Sequence, residues 1–293
     1  MVILVNTIYR IRESLQWDQE KMADEMKVTV ATVKRWENED GIPGKAAQEK
    51  LISICQKEKI DLAEVVEKSI REQAQEIAKS NPYREILFHG SKSGLKGNIS
   101  PSSRDRCDFG AGFYMGTEPL QPLTLICDYD ESVFYIVSID ENELKKIEIP
   151  ADIEWAMLIA YHRGKLEEIA GTELYAKYAV MDKGYDIIAG RIANDRMFYV
   201  LDNFFQGNVT DMALVESLSA LQLGCQYVAV TQKACDAIRI ERKIPLLWME
   251  RQALKKVSGR NRKQGISLAN RICRDYRREG KYFDEIIDSA RQK

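Results

Sequence analysis

The residues of this chain best suited to chemistry fall in two short stretches, Leu87-Phe88-His89-Gly90-Ser91 and Asp108-Phe109-Gly110-Ala111-Gly112-Phe113-Tyr114-Met115-Gly116-Thr117. A histidine at the end of an apolar strand can bond a sugar hydroxyl, and a glycine-framed aromatic pair offers a ring face for stacking. The layout suits a flat aromatic ring carried on a ribose and points to an NAD-handling site. Phe113 and Tyr114 alternate across a strand, so one of them belongs to the core. Asp108 reads as the brace of a loop. His162 lies in a helical pattern with Trp155 and Arg163 and reads as structural.

Short apolar or aromatic runs must position these groups. Strands are expected at Glu85–His89, Gly112–Gly116, Ser132–Ile139, Tyr185–Gly190, Met197–Val200 and Cys225–Val230, with helices over Pro119–Cys127, Asp152–Ile169 and Thr210–Leu221. Strands and helices do not alternate regularly, which indicates an α+β region rather than a doubly wound sheet.

The first eighty residues are helical in pattern. Asp18 can cap a helix over Gln19–Met26, Lys27-Val28-Thr29 makes a turn, and a second helix starts at Thr29 with Val30 and Val33 inward, ending near Glu39-Asp40-Gly41-Ile42-Pro43. Further helix runs through Leu62–Glu67 to Ala78, and Ser80-Asn81-Pro82 marks a boundary. The Gln19-Glu20-x-Met22-Ala23 opening, the Thr32-Val33-x-Arg35-Trp36-Glu37 helix and the Gly41-x-Pro43 that follows resemble the phage-repressor-like (XRE-type) helix-turn-helix family. The resemblance implies DNA binding, with Thr29, Ala31, Thr32, Lys34 and Arg35 toward the major groove and Gln19 on a phosphate.

Charge is unevenly spread. The first eighty residues carry 13 basic and 15 acidic side chains and residues 247–293 carry 13 and 6, which leaves the middle acidic. A module as acidic as the first is expected to hold DNA weakly as a monomer, so a homodimer or a basic partner is implied. The basic carboxyl-terminal region, with Lys255-Lys256, Arg260-x-Arg262-Lys263 and Arg274-x-x-Arg277-Arg278, reads as helical. Six cysteines are scattered without a C-x-x-C pair, so neither a zinc site nor a disulfide framework is indicated, and reduced, mostly buried thiols are expected. The opening Met1-Val2-Ile3-Leu4-Val5 has no basic leader, and no run approaches a membrane span; the expectation is a cytoplasmic protein without membrane contact.

The central blocks together are similar to the ADP-ribosyltransferase superfamily, in a bacterial branch catalogued as domain of unknown function 3990. The match rests on His89-Gly90-Ser91, Asp108-Phe109-Gly110-x-Gly112-Phe113-Tyr114-x-x-Thr117, Tyr185-Asp186-Ile187-Ile188-x-Gly190 with Ala193-Asn194-Asp195, and Gln226 on a strand that leads to Thr231-Gln232-Lys233-Ala234. It implies three parts: an all-α helix-turn-helix domain over 1–80, a split β-sheet transferase-like domain over 81–245, and a basic helical extension over 246–293. It also implies that NAD is a substrate. His89 would bond a ribose hydroxyl, Gly90 and Ser91 would hold the nicotinamide amide, and Tyr114, with Phe113, would stack on the ring. Phe109, Gly112 and Thr117 would complete the NAD contacts.

The third position of the family's triad, usually Glu, falls on Gln226. An amide can accept a ribose hydroxyl bond but carries no charge and takes no proton, so either the acceptor needs little activation or a carboxylate from elsewhere supplies the charge, with Asp195 the first candidate and Glu216 the second. The implied activity is cleavage of NAD with transfer of ADP-ribose to a protein or nucleic acid, in a toxin-like or phage-defence setting with an antitoxin partner. The alternative that Gln226 favours is an inactive, NAD-sensing transcriptional regulator; NAD hydrolysis without an acceptor is a third.

Overall fold

The computed structural model describes residues 6–103, 106–192, 195–221 and 224–292, with the side chains of residues 195–198 and 221 left out. Five helices open the chain: α1 (Thr7–Ser14), α2 (Gln19–Met26), α3 (Val30–Glu37), α4 (Lys45–Lys57) and α5 (Leu62–Ser80). Then come β1 (Glu85–Ser91), β2 (Phe113–Gly116), α6 (Leu120–Ile126), β3 (Val133–Ile139), β4 (Lys146–Glu148), α7 (Ile153–His162), α8 (Glu173–Met181) and β5 (Ile187–Arg191). The remainder is α9 (Asp195–Phe205), α10 (Asp211–Leu221), β6 (Cys225–Ala229), α11 (Gln232–Asp236), β7 (Ile238–Pro245), α12 (Trp248–Asp275) and α13 (Phe283–Arg291).

Two compact units interleave along this order. The first holds residues up to Gly94 with Pro119–Ile136 and Ile240–Ser258, and the second holds Leu95–Glu118, Val137–Arg239 and the chain from Gly259 onward. The basic stretch after residue 245 is therefore shared, its first half in one unit and its second half in the other.

In the first unit, local signals set the helices. Asp18 accepts from the Lys21 backbone N–H at 2.7 Å and Thr29 from that of Thr32 at 3.1 Å, each filling a donor that a helix start leaves open. Lys27 closes α2 in the left-handed region at φ 57°, and the chain turns straight into α3. Ile8, Ile11, Met22, Met26, Val33, Trp36 and Leu51 form one apolar cluster. A second cluster gathers Val66 and Ile70 of α5 with Phe88, Leu123, Ile126 and Phe134.

The second unit is built on four strands in the order β4-β5-β6-β2. Strands β4 and β5 are parallel; β5 with β6 and β6 with β2 are antiparallel. Trp155, Ile188, Phe204, Leu214, Val228 and Phe283 belong to its core. The sequence signals for Met197–Val200 misled: these residues lie inside helix α9, whose apolar positions at helical spacing place Val200, Leu201 and Phe204 in the core. In so short an aromatic run the helical period is hard to tell from the strand period. Strands β4 and β7 and helix α8 carry patterns too short or too charged to stand out. Three of the six cysteines are buried and three half-buried, all as free thiols, so fewer are buried than expected. Burial pushes the Cys55 and Cys235 thiols up to about 11, away from reactive thiolate.

Candidate functional site

The site is built around the pairing of β2 with β6. Gly116 lies opposite Gln226 and Tyr114 opposite Val228. Direct partners share a face and side chains alternate along a strand, so Tyr114 and Gln226 project from the same face as diagonal neighbours, while Phe113 points the other way. Phe113 is the core member of the aromatic pair and Tyr114 is half-buried.

The loop before β2 folds back over that face. The Tyr114 hydroxyl donates to the Gly110 carbonyl at 2.8 Å and accepts from the Phe109 N–H at 3.0 Å. Burial raises the Tyr114 phenol far above its ordinary value, so it remains a neutral donor. Phe109 is 1% exposed, and its ring sits 2.8 Å from where a Cβ on Gly190 would be. Phe109 is thus a core residue rather than an exposed ligand contact, and Gly190 is the vacancy that admits it. Gly112 has the same explanation, since a Cβ there would stand 2.4 Å from Val228. Thr117 extends the ladder, its backbone N–H donating to Cys225 O at 2.9 Å and its hydroxyl accepting from the Cys225 N–H at 3.0 Å.

Asp108 is the residue whose role sequence reasoning understated. Its carboxylate is 8% exposed and accepts from the Arg163 guanidinium at 2.6 Å and from the Gln226 amide at 3.5 Å. The same amide donates to the Arg191 carbonyl at 3.1 Å. With its N–H groups aimed at two acceptors, the Gln226 side chain is fixed in orientation, and any further bond it makes is accepted at Oε1. Burial pushes the Asp108 carboxyl upward, opposed by Arg163 and the Gln226 amide. The signal was present in the sequence as a lone acid heading a Gly-rich loop, but its partners lie 55 and 118 residues away.

The other positions fall as follows. The backbone of Asp195 opens α9, its side chain lying outside the described residues together with Ala193 and Asn194, and Glu216 is half-buried on α10. His162 bonds Asp182 at 2.6 Å, and its ring packs against Gly110. Asp186 accepts from the Lys145 N–H at 3.0 Å and the Thr231 hydroxyl at 2.8 Å, bonds that hold its carboxyl below the usual range; Thr231 also caps α11. That part of the motif is a fastener between β5 and α11.

His89 belongs to the first unit. It is half-buried on β1, its ring centroid 6.0 Å from that of Tyr135, with Ser91 at the strand end. Gly90 is required by α6, because a Cβ would lie 2.9 Å from both the Pro122 carbonyl oxygen and Ile126. In the helix-turn-helix, Thr29, Ala31, Lys34 and Arg35 are exposed and Thr32 half-buried. Gln19 donates to Glu37 at 2.7 Å, and Arg12 donates to the same carboxylate at 2.6 Å. Among the described residues no cluster of His, Cys, Asp and Glu could hold a metal, and no helix is long and apolar enough to cross a membrane.

Comparison with known proteins gives two matches. Residues 85–240 match a family described as a protein of unknown function, DUF3990, and residues 8–59 match a helix-turn-helix family, so the chain carries an amino-terminal helix-turn-helix domain. No curated protein and no solved structure matches it.

Proposed function

The chain belongs to the DUF3990 family, and on that footing we propose that it is an ADP-ribosyltransferase that cleaves NAD and passes ADP-ribose to a macromolecular acceptor. What supports the reading is the fixed amide of Gln226 on the face it shares with Tyr114. In the proposed reaction the bond from the ribose anomeric carbon to nicotinamide breaks and its electron pair leaves with the ring. A nucleophile of the acceptor then bonds to that carbon and gives up its proton. The transition state resembles the sugar cation of glycoside cleavage, so orientation and negative potential are what the protein must supply.

Tyr114 offers a ring held rigidly by its buried hydroxyl, and Gln226 an acceptor for a ribose hydroxyl. His89 and Ser91, to which the resemblance gives ribose and amide roles, lie in the first unit. Asp108 is a positioning residue: it acts through Gln226 and brings the nearest carboxylate that the described contacts show there. Its charge is shared with Arg163, so the negative potential it lends is modest. The helix-turn-helix would bring this activity to DNA, and a toxin-like or phage-defence setting with an antitoxin is consistent with that pairing.

The test is release of nicotinamide from NAD labelled on the adenylate half, with transfer of label to lysate macromolecules. Gln226→Ala is expected to lower the rate at least tenfold, about 1.4 kcal/mol of transition-state stabilisation, while Gln226→Glu keeps or raises it. Wild-type protein that releases no nicotinamide refutes the transferase. The uncharged Gln226 and the Arg163-paired Asp108 favour the second reading, an NAD-sensing regulator. That one requires NAD binding by calorimetry without cleavage, and an NAD-dependent change in DNA affinity.

A further inference from the structure

The carboxyl-terminal half of α12 separates its faces by charge. Gly265, Ala269 and Ile272 are buried, and Leu268, Cys273 and Tyr276 pack against the core of the second unit. On the opposite side Arg260, Lys263, Ser267, Arg271 and Arg274 are all exposed, at spacings of three and four residues that make one stripe. At 1.5 Å per residue this stripe runs about 21 Å. Arg262, Arg277 and Arg278 are exposed beside it or just beyond. No acidic residue occurs between Glu250 and Asp275, so along the helix sequence only Arg271 of the stripe has an acid, Asp275, at i±3 or i±4. The Tyr199 hydroxyl bonds Asn270 at 3.0 Å, which ties the helix to α9.

We propose that this stripe is a contact for the phosphate backbone of duplex DNA, separate from the helix-turn-helix and independent of the transferase reading. Three observations select that partner. The exposed face carries no apolar side chain between Arg260 and Arg274, so it offers neither the anchor that a membrane surface takes nor the apolar centre of a protein interface. Its charges are mainly arginines, whose planar forks match phosphate, with Ser267 and Asn270 as short polar neighbours of the kind that line phosphate contacts. Finally, the helix-turn-helix region carries 13 basic against 15 acidic residues. Duplex affinity follows the number of phosphates neutralised, and the cations that region lacks are on α12.

The experiment is fluorescence anisotropy of the full chain on a mixed-sequence duplex of about 30 base pairs across a salt series, long enough to span several phosphate contacts. Lys263→Glu/Arg271→Glu/Arg274→Glu is expected to weaken low-salt affinity at least tenfold. The slope of log affinity against log salt should become shallower by about 2 to 3, near 0.9 per lost phosphate contact. Lys263→Arg/Arg271→Lys/Arg274→Lys, which keeps the charge, retains binding. Unchanged affinity and slope in the charge-reversed variant overturn the proposal. So does binding of poly-glutamate or of anionic phospholipid vesicles as tight as that of the duplex, which would assign the stripe to an acidic protein or a membrane surface.

Discussion

The helix-turn-helix and the β2/β6 face each hold the same trio: a buried carboxylate, an arginine and a glutamine. In the first, Glu37 accepts from Arg12 at 2.6 Å and Gln19 at 2.7 Å. In the second, Asp108 accepts from Arg163 at 2.6 Å and Gln226 at 3.5 Å. The arginine bonds are equally short, and the difference lies in the glutamine. Gln19 is drawn tightly to its carboxylate, so the trio joins α1, α2 and α3 and spends the amide on structure. Gln226 divides its amide between Asp108 and the Arg191 carbonyl, which leaves Oε1 as the acceptor of any further bond. The same three residue types thus spend the glutamine amide on one carboxylate in the first region and divide it between a carboxylate and a backbone carbonyl in the second.

Removing the carboxylates breaks the comparison most severely. Glu37→Ala takes from the buried Arg12 its shortest carboxylate bond and leaves it the exposed Glu13 at 3.1 Å, and Asp108→Ala takes from the half-buried Arg163 its 2.6 Å carboxylate, so both losses fall toward the low end of the about 3–5 kcal/mol that breaking a buried pair costs. Urea denaturation should show both losses, with Asp108→Asn milder because the amide still accepts from Arg163. A loss below about 1 kcal/mol, the range of exposed ion pairs, in either alanine variant would mean that its trio contributes little to the fold.

The two regions also differ in how far their residues reveal themselves in sequence. Asp18, Lys27 and Thr29 act on neighbours within five residues and Val33 falls on the helical period, so capping and periodicity were enough to place α2, α3 and the turn between them. At the β2/β6 face the partners are remote. The sequence singles out Tyr114 and Gln226 as types, but their shared face depends on the strand register, and Asp108 meets Gln226 only once the loop has folded over β6. Phe109, Gly112 and Thr117 carried a motif's appearance of ligand contacts, whereas steric fit accounts for Phe109 against Gly190 and for Gly112, and ladder hydrogen bonds to Cys225 account for Thr117. Local rules also failed at Met197–Val200, where tertiary burial rather than propensity selected helix.

A smaller effect sharpens the local half of the comparison. The Thr29 hydroxyl caps α3 and lies 2.9 Å from that of Thr32, so one of the residues expected to face DNA also holds its own helix start. Thr29→Ala should cost about 1 kcal/mol, whereas Thr29→Ser keeps the cap. Thermal unfolding of the two variants decides it, and equal stability would show that the cap is not used.

The smallest expected effect comes from a third buried carboxylate, one without a comparable trio. Glu250 is 5% exposed and accepts from the Leu247 N–H at 2.7 Å and from the Thr7 hydroxyl, with Arg251 nearby. Burial nonetheless raises its carboxyl above the ordinary carboxylate range. A raised folded-state value means that the folded chain holds the proton more tightly than the unfolded chain. Stability from this group is therefore greatest when it is protonated, and declines as pH rises from the unfolded carboxylate range through the raised value. Glu250→Gln keeps a neutral acceptor for Leu247 and removes the titration. The difference in unfolding free energy between the variant and the wild type should then move in the variant's favour with rising pH through that window and level off above it. Denaturant titrations at several pH values measure it. A difference that stays constant with pH would show that Glu250 titrates alike in both states and that its hydrogen bonds and Arg251 fully offset its burial.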